Sequence, residues 1–418
     1  MNTERLTAKI RDILIRKGLE SAIKKTRKIK PLLITVVMLL ITLTIAITYI
    51  TLPICNASNE NTSAQKSQPN ADVSWRMFRG NPSLTGIASG TISDSPKIKW
   101  RFKTGSSIKS SPVVDSGLVY IGSDDKKLYA LSILDGKKVW EFQAEDTIES
   151  SPCVINGLVF VGSTDSYLYA LDAKIGKLKW KYKTGAKIVA SPNWMNSPKK
   201  DKIWILFGSY DNYLYCVDSI TGKLVWKYQI TNYINGSTAI GNEKAIFGGC
   251  DAKVHIVSTI NGKKIGEVDT GAYIAASPAI DGRYAFIGNY QGKFLCIDLV
   301  TKKALWTYES DTQFFSSPAV GKTQIVVGSR NNSLLCIRRD NGKPIWTFQA
   351  KDKVDSSPVI VGDKVVVGSD DGRLYIVSLA KGSEIWSYEI GSPITGSPAV
   401  LSSLIIIGAD DGIVYAFE

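Results

Sequence analysis

Short hydrophobic runs alternate with polar, turn-forming residues along most of the chain. The segment 108–143, IKSSPVVDSGLVYIGSDDKKLYALSILDGKKVWEFQ, is typical: Val, Ile, Leu, Tyr and Trp dominate its apolar runs. Such residues favour a half-buried, pleated surface. Turn signals at Ser116-Gly117, Asp124-Asp125 and Asp135-Gly136 divide the segment into four runs, because Gly, Ser and Asp favour turns. The pattern predicts four antiparallel strands with no helix between them.

This unit recurs about every 40 residues from residue 97 to the end of the chain. A tryptophan, a Ser-Pro pair with Ser237-Thr238 as its variant, and a glycine keep the same spacing; in the first copy the marker serine is Ser111 and the marker glycine is Gly122. A four-stranded unit with this period is typical of a propeller blade. We therefore expect an all-β fold, an eight-bladed β-propeller of four-stranded antiparallel blades. The repeated tryptophans are Trp100, Trp140, Trp180, Trp226, Trp306, Trp346 and Trp386, with Gly266 in the remaining slot.

The two ends of the repeat region are complementary. The repeats begin with a fourth strand at residues 97–103, and they end with a third strand at residues 412–417. We expect residues 97–103 to complete the last blade, because this pairing removes the free edge that would invite aggregation. The propeller domain is expected to cover residues 75–418.

Two repeated polar positions have two interpretations each. The serine of each Ser-Pro pair follows a small residue, which indicates close packing near the axis, although a ring of hydroxyls could also bind a ligand. An aspartate follows the marker glycine by three residues in six copies, and its regular spacing favours turn chemistry over a calcium site, which needs clustered oxygens. These aspartates are Asp125, Asp165, Asp211, Asp251, Asp371 and Asp411, with Gln291 and Asn331 in the other two copies.

The repeats resemble the pyrroloquinoline-quinone-type (PQQ-type) propeller family and its tryptophan-docking motif, Ala-x-Asp-x-x-Thr-Gly-x-x-x-Trp. One copy has Ala170, Asp172, Gly176 and Trp180 at the motif positions. The resemblance implies that each motif tryptophan stacks over its own blade and docks on the neighbouring blade. The segment 75–86 also looks like the lead-in that precedes such propellers.

The family has two branches with different functions. Quinoprotein dehydrogenases bind PQQ and calcium on the propeller axis and oxidise alcohols or sugars, whereas scaffold members such as the outer-membrane assembly factor BamB bind no cofactor. This chain lacks the adjacent cysteines that the dehydrogenases often carry, and its single histidine, His255, lies within a predicted strand. The resemblance to the scaffold branch therefore predicts no catalytic, cofactor or metal residue, with the quinoprotein as the alternative.

Aromatic residues replace polar ones in copies four to six. They lie near the connectors between blades, on the face that carries the aspartate turns. Exposed aromatic side chains there would form a protein-binding or sugar-binding patch, and the alternative is that they fold under the rim. The candidate patch comprises Tyr210, Tyr213, Tyr233, Tyr273, Tyr290, Phe314 and Phe315.

The N-terminal region predicts membrane anchoring. Residues 31–54 carry no charge and are long enough to span a bilayer as a signal-anchor. Residues 1–30 carry ten Lys/Arg and three Asp/Glu, so the positive-inside rule places this tail in the cytoplasm and the propeller outside. Residues 55–74 are expected to be a flexible linker, and Cys55 opens the alternative of a lipoprotein.

Charge and anchor together narrow the expected function. The tail contributes +7 of the total net charge of +13, which fits attraction to anionic lipid headgroups rather than nucleic acid. We expect a membrane-anchored, extracytoplasmic propeller that acts as a non-catalytic scaffold or recognition module. Its partner would be an envelope protein or a surface polysaccharide, and the alternative is a PQQ-dependent oxidoreductase of alcohols or sugars.

Overall fold

The computed structural model describes residues 74–418 as eight sheets, seven with four strands and one with five. The sheets follow one another along the chain, and strands within each blade pair antiparallel. The predicted eight-bladed, all-β propeller is confirmed. Within residues 74–418 no helix is long and apolar enough to cross a membrane. The predicted tail, membrane span and nearly all of the linker lie outside the described residues.

Each blade has a first, second, third and fourth strand, counted from the axis outwards. In blade order, the first strands are Val113–Asp115, Cys153–Ile155, Asn193–Asn196, Ala239–Gly241, Ala279–Asp281, Ala319–Val320, Val359–Val361 and Ala399–Leu401. The second strands are Leu118–Gly122, Leu158–Gly162, Ile203–Gly208, Lys244–Gly248, Tyr284–Gly288, Gln324–Ser329, Lys364–Gly368 and Leu404–Gly408. The third strands are Lys127–Ser132, Tyr167–Asp172, Tyr213–Asp218, Lys253–Ser258, Lys293–Asp298, Ser333–Arg338, Arg373–Ser378 and Ile413–Phe417. The fourth strands are Lys138–Gln143, Leu178–Lys183, Leu224–Gln229, Lys264–Asp269, Lys303–Glu309, Pro344–Gln349, Glu384–Glu389 and Ile98–Lys103.

Burial along each blade follows the distance from the axis. The second and third strands are buried on both faces, as in Leu158–Gly162, because each blade packs between two others. Fourth strands such as Lys138–Gln143 alternate between buried or half-buried and exposed positions, because their outer edge meets solvent. The core therefore lies between the blades.

The last blade joins the two ends of the described chain. Strand Ile98–Lys103 pairs antiparallel with Ile413–Phe417, with Trp100 opposite Ala416. Main-chain hydrogen bonds between Lys97 and Glu418 extend the pairing at 2.8 and 2.9 Å. The N-terminal strand thus supplies the fourth strand that the C-terminal repeat lacks, and the ring is closed.

The segment before the first repeat crosses the axis of the ring. Its carbonyls accept hydrogen bonds from the amides of first strands in successive blades, including Arg76 from Val154 at 2.7 Å and Pro82 from Ile240 at 2.7 Å. A two-residue strand, Ile87–Ala88, then pairs parallel with the first strand of blade 7. The sequence marked this segment only as a lead-in, and its role as a plug across the axis is new.

A buried arginine anchors this plug. Arg79 is 1% exposed, and its guanidinium donates hydrogen bonds to the carbonyls of Pro318, Ser357 and Pro358. Burial lowers the pKa of Arg79 to about 9. Gly86 leaves room for this side chain, since a Cβ there would overlap the guanidinium.

The ring has two distinct faces. The upper face carries the turns between second and third strands and the connectors between blades. The lower face carries the turns between first and second strands and between third and fourth strands. Gly90 lies against Ser402 of a lower-face turn, and Asp94 pairs at 2.9 Å with Lys364, which directly follows another such turn. Residues 90–94, which follow the plug, therefore run along the lower face.

Tryptophans join neighbouring blades near their outer edges. In blade 1, the Trp140 Nε1 donates to the Ala173 carbonyl of blade 2 at 3.0 Å, and its ring covers Gly176, where a Cβ would come within 2.6 Å of the ring. Six seams repeat this contact. The pairs are Trp100–Gly136, Trp140–Gly176, Trp180–Gly222, Trp226–Gly262, Trp306–Gly342 and Trp346–Gly382.

The seam between blades 4 and 5 differs on both sides. Gly266 replaces the tryptophan, and Lys302 replaces the glycine with which the tryptophan would make contact. The Lys302 stem fills the space beside Gly266, and its Nζ donates to the Ile265 carbonyl at 2.8 Å. The lysine alkyl chain thus takes the place of the missing ring.

Candidate binding site on the upper face

The repeats place three side chains per blade around the axial opening of the upper face. The inner position lies two residues before the marker serine, the outer position lies four residues before it, and the turn position lies two residues after the marker glycine. The turn-position amide donates to the outer-position carbonyl, for example from Asp124 to Ser107 at 2.9 Å and from Tyr290 to Tyr273 at 2.8 Å. Because the backbone is fixed in this way, the blades differ here mainly in their side chains.

The inner positions surround a depression of about 270 Å³ on the axis, with the marker serines and Phe78 of the plug below them. They differ in charge and size from blade to blade. The inner residues are Lys109, Glu149, Val189, Asn235, Ala275, Phe315, Asp355 and Thr395.

The marker serines form a closed ring of hydrogen bonds. The amide of Ser111 donates to the Ser151 Oγ at 3.0 Å, and the same bond recurs around the axis until the amide of Ser397 donates to the Ser111 Oγ at 2.9 Å. These bonds tie each first strand to the next. The geometry therefore favours the structural interpretation of this series.

The repeated aspartates hold the upper-face turns. Asp125 accepts from the Lys127 amide through Oδ1 at 3.0 Å and from the Tyr129 hydroxyl through Oδ2 at 2.6 Å. In blade 4 the His255 Nε2 takes the place of that hydroxyl, 3.0 Å from the Asp251 Oδ2. The expected turn chemistry is observed, and His255 belongs to this structural series.

The exposed aromatic side chains begin in blade 3. The rings of Tyr210 and Tyr233 stack in parallel, with centroids 5.0 Å apart and planes 7° apart. The Tyr210 hydroxyl donates to the Asn235 Oδ1 at 2.8 Å, and burial raises the pKa of Tyr210 to about 12. Tyr210 therefore supports Tyr233, which is 48% exposed.

The aromatic surface continues to blade 6. Tyr273 is 58% exposed and Tyr290 is 44% exposed. The Phe315 ring contacts Tyr290 at 5.2 Å, and the guanidinium carbon of Arg330 lies 3.5 Å from the Phe315 centroid. The hydrogen bonds from Arg330 to Asp355 raise the pKa of Arg330, so the cation is held over the ring. We call Tyr210, Tyr233, Tyr273, Tyr290 and Phe315 the aromatic sector.

Two residues of the predicted patch do not belong to this surface. Phe314 is 1% exposed and packs against Phe294, because it occupies the position that Ile108 and Ile148 fill in other blades. Its assignment to an exposed patch was wrong, and aligning it with these isoleucines could have revealed this. Tyr213 begins a third strand and contacts Tyr215 and Lys227 of its own blade, away from the axial opening.

The opposite side of the upper face is acidic. Its turn positions in blades 7, 8 and 1 are Asp370, Asp410 and Asp124. Burial raises the pKa of Asp370, with the nearby Asp355 charge adding to it, and burial also raises the pKa of Asp410. Lys353 lies 3.4 Å from Asp370, and Lys109 lies 3.1 Å from Asp124. We call Asp124, Asp370 and Asp410 the acidic sector.

The upper face does not provide the groups that PQQ and calcium would require. Within residues 74–418 no three His, Cys, Asp or Glu side chains come together as a metal ligand set, whereas calcium prefers six to eight clustered oxygens. Three cations of the upper face already pair with carboxylates, Lys109 with Asp124, Arg330 with Asp355 and Lys353 with Asp370. Lys187 lies over the Tyr210 ring, 4.5 Å from its centroid. The residues present therefore do not fit the quinone-calcium site.

A family model covers most of the propeller. The model described as outer membrane protein assembly factor BamB matches residues 91–249 and 250–418. The chain belongs to this family. Both matched stretches contain whole blades, and together they include every residue of the aromatic and acidic sectors.

Solved structures share the fold at low sequence identity. BamB from Moraxella catarrhalis is 18% identical, with 77% of this chain and 97% of that chain covered and a TM-score of 0.64. The designed protein Ika8 is 15% identical, with 77% and 99% covered and a TM-score of 0.68. A quinohemoprotein alcohol dehydrogenase from Comamonas testosteroni is 13% identical, with 82% and 80% covered and a TM-score of 0.69. Comparison with curated proteins found no match.

Proposed function

We propose that this family member is a membrane-anchored, extracytoplasmic scaffold or recognition module. It binds an envelope protein or a surface polymer through the aromatic sector of its upper face. Residues 31–54 anchor it, and residues 1–30 lie in the cytoplasm. The observation that carries the proposal is the set of three exposed tyrosine rings, Tyr233, Tyr273 and Tyr290, beside the axial depression.

The aromatic sector has the features of a binding surface. Its rings are held in place before any partner arrives, since Tyr233 stacks on Tyr210 and Phe315 is covered by Arg330. Rigid aromatic side chains that are partly exposed lose little conformational entropy on binding and often dominate the binding energy. The name of the matched family, an assembly factor, agrees with a role in holding other proteins.

Affinity capture of partners by the full-length protein tests this function. A Tyr233→Ser/Tyr273→Ser variant should bind the partner from membrane extracts about thirtyfold more weakly, or ~2 kcal/mol, because it removes two exposed anchors. The matched control is Ser107→Ala/Thr147→Ala, which changes the same outer positions in the polar part of the ring. Equal capture by both variants would contradict the proposal.

The quinoprotein oxidoreductase is the second candidate, and it rests on the dehydrogenase structures that share the fold. A dye-linked oxidation assay with added PQQ, calcium and alcohol or sugar substrates tests it directly. We expect no substrate-dependent dye reduction, because Lys109, Arg330 and Lys353 are engaged by carboxylates and the described residues bring no metal ligand set together. Turnover that needs both PQQ and calcium would replace the scaffold with an enzyme.

A further inference from the structure

Exposed aliphatic side chains project from the lower face in five consecutive blades. Each lies in the turn between the third and fourth strands, where the chain reverses at the outer rim, and each is between 43% and 74% exposed. Because the blades are equivalent in a closed ring, these turn tips lie at similar heights. In blades 1, 3, 4 and 5 the tip residue lies two positions before the turn glycine or its replacement Lys302, whereas blade 2 has Lys174 there and its aliphatic residue one position later. The tip residues of blades 1 to 5 are Leu134, Ile175, Ile220, Ile260 and Val300.

Lysines accompany these aliphatic tips. One exposed lysine follows the position of the turn glycine in each of the same blades, and the series continues into blade 6. Of these lysines, Lys137 pairs with Asp135 at 3.0 Å. Aliphatic groups flanked by lysine match the boundary of an anionic bilayer, where hydrocarbon lies beneath negative headgroups. The lysines are Lys137, Lys177, Lys223, Lys263, Lys303 and Lys343.

The insertion in blade 3 adds further lysines to the same rim of the lower face. Residues 197–202 connect the first two strands of this blade on the lower face and carry the exposed Lys199, Lys200 and Lys202. A cavity of about 570 Å³ lies between this loop and the turn that holds Ile220. Lys200 and Lys202 line it together with Asp201 and Asp218, and Lys202 lies 3.8 Å from Asp218. Lys200 is therefore the cation beside an aliphatic tip that a phospholipid headgroup would meet.

The chain also enters the propeller from this side. Trp75 exchanges hydrogen bonds with Val114 in the plug, which lies on the lower-face side of the serine ring. Twenty residues, 55–74, separate the uncharged run 31–54 from Trp75. A linker of this length keeps the lower face within reach of a membrane that holds the run.

We infer that the lower rim of blades 1 to 5 docks on an anionic lipid surface, with the aliphatic tips entering the headgroup boundary and the lysines contacting phosphate. The inference rests on the proposed anchoring and adds an orientation to it. Blades 6 and 7 have Asp340 and Ala380 at the tip position, so the contact is strongest under blades 1 to 5. The upper face, with its aromatic sector, then points away from the membrane.

Site-specific fluorescence in proteoliposomes tests this orientation. The full-length protein, with Cys55→Ser and Cys250→Ser, receives one labelled cysteine at Ile220→Cys; the four other cysteines are buried. Lys351→Cys on the upper face is the matched control. Nitroxide-labelled lipids should quench the label at residue 220 severalfold more than at residue 351. The effect should be larger in vesicles that contain phosphatidylglycerol than in phosphatidylcholine alone, and it should decrease at high salt.

The outcomes separate docking from anchoring. A protein that floats with vesicles after carbonate washing, but shows equal quenching at both sites, would retain its anchor and overturn the docking. Quenching at residue 220 that appears only in native membranes, and not in protein-free lipid, would assign the rim to a protein partner and also overturn it. Loss of the difference in Lys177→Gln/Lys223→Gln/Lys263→Gln would support it. A protein that fails to float would instead refute the proposed anchor.

Discussion

The aromatic and acidic sectors of the upper face occupy the same backbone positions and differ almost entirely in side chains. Tyr290 and Asp370 are both turn positions, and each amide donates to the outer-position carbonyl of its blade at 2.8 and 2.9 Å. In the aromatic sector the side chain is a ring that remains 44% exposed. In the acidic sector it is a carboxylate that is half-buried and lies beside Lys353.

This difference shows where the repeat leaves freedom for function. Most residues that recur from blade to blade belong to the serine ring, the aspartate turns or the tryptophan seams. These features close the ring and stabilise it. The inner, outer and turn positions are not needed for closure, so they can differ from blade to blade. The differences between blades at these positions therefore indicate the surface that a partner recognises.

The largest expected effect concerns the boundary of the aromatic sector. Phe314→Ala should lower the free energy of unfolding by ~3–5 kcal/mol, because it empties a fully buried position between blades. Phe315→Ala, one residue further, should cost about 1 kcal/mol or less, because that side chain is partly exposed. Denaturant unfolding of the two variants compares them. Similar losses would mean that Phe315 is also a core residue and that the sector is smaller.

The irregular seam joins blades 4 and 5, near whose connectors the aromatic sector lies on the upper face. Gly266→Trp alone should destabilise, because its Cβ would already lie 2.6 Å from the Lys302 Cδ. Adding Lys302→Gly recreates the contact of the six regular seams and removes a positive φ of 59° at a lysine. We expect a coupling of about 2 kcal/mol between the two changes, measured by a double-mutant cycle. Additive effects would mean that the two positions do not compensate for each other.

The architecture could be predicted from the sequence because the residues that form and join the blades recur in eight copies. The blade period, the missing fourth strand and the turn role of Asp125 all follow from the spacing of recurring residues. This spacing can be read from one sequence alone. The sequence also flagged Gly266 as an exception but not Lys302, because only the structure shows that a tryptophan rests on the glycine of the next blade. The seam is therefore irregular on both sides.

The candidate site was harder to predict from the sequence. Phe314 and Phe315 are adjacent, yet a one-residue difference in register places one in the core and the other at the axial opening. The plug was missed because the guanidinium of Arg79 donates to backbone carbonyls and pairs with no carboxylate among residues 74–418. Every residue has a backbone carbonyl, so hydrogen bonds from a side chain to carbonyls leave no recognisable pattern in the sequence.

A smaller effect distinguishes Asp370 of the acidic sector from Asp371, its neighbour in the series of turn aspartates. Asp371→Asn should destabilise by ~1 kcal/mol, because the amide cannot replace both acceptor oxygens used by Arg373 and Tyr375. Asp370→Asn should instead stabilise slightly at neutral pH. Its folded pKa lies above the ordinary 3.8, so the charged carboxylate is unfavourable in the folded state above that pKa.

The pH dependence checks the sign of that effect. As pH falls through the folded pKa of Asp370 towards 3.8, the native carboxyl takes up its proton and the advantage of Asp370→Asn should disappear. Unfolding midpoints of wild type, Asp370→Asn and Asp371→Asn across this range provide the measurement. A gain for Asp370→Asn that persists below pH 3.8 would show that charge burial is not its cause.

The most direct test of the central claim is photo-crosslinking in intact cells from one position in each sector. A benzophenone amino acid replaces Tyr273 in the aromatic sector or Lys353, the same outer position beside the acidic sector. We predict one dominant covalent partner from position 273 and little from position 353. Equal crosslinking from both positions, or the same partner from position 353 alone, would contradict the claim that the aromatic sector binds the partner.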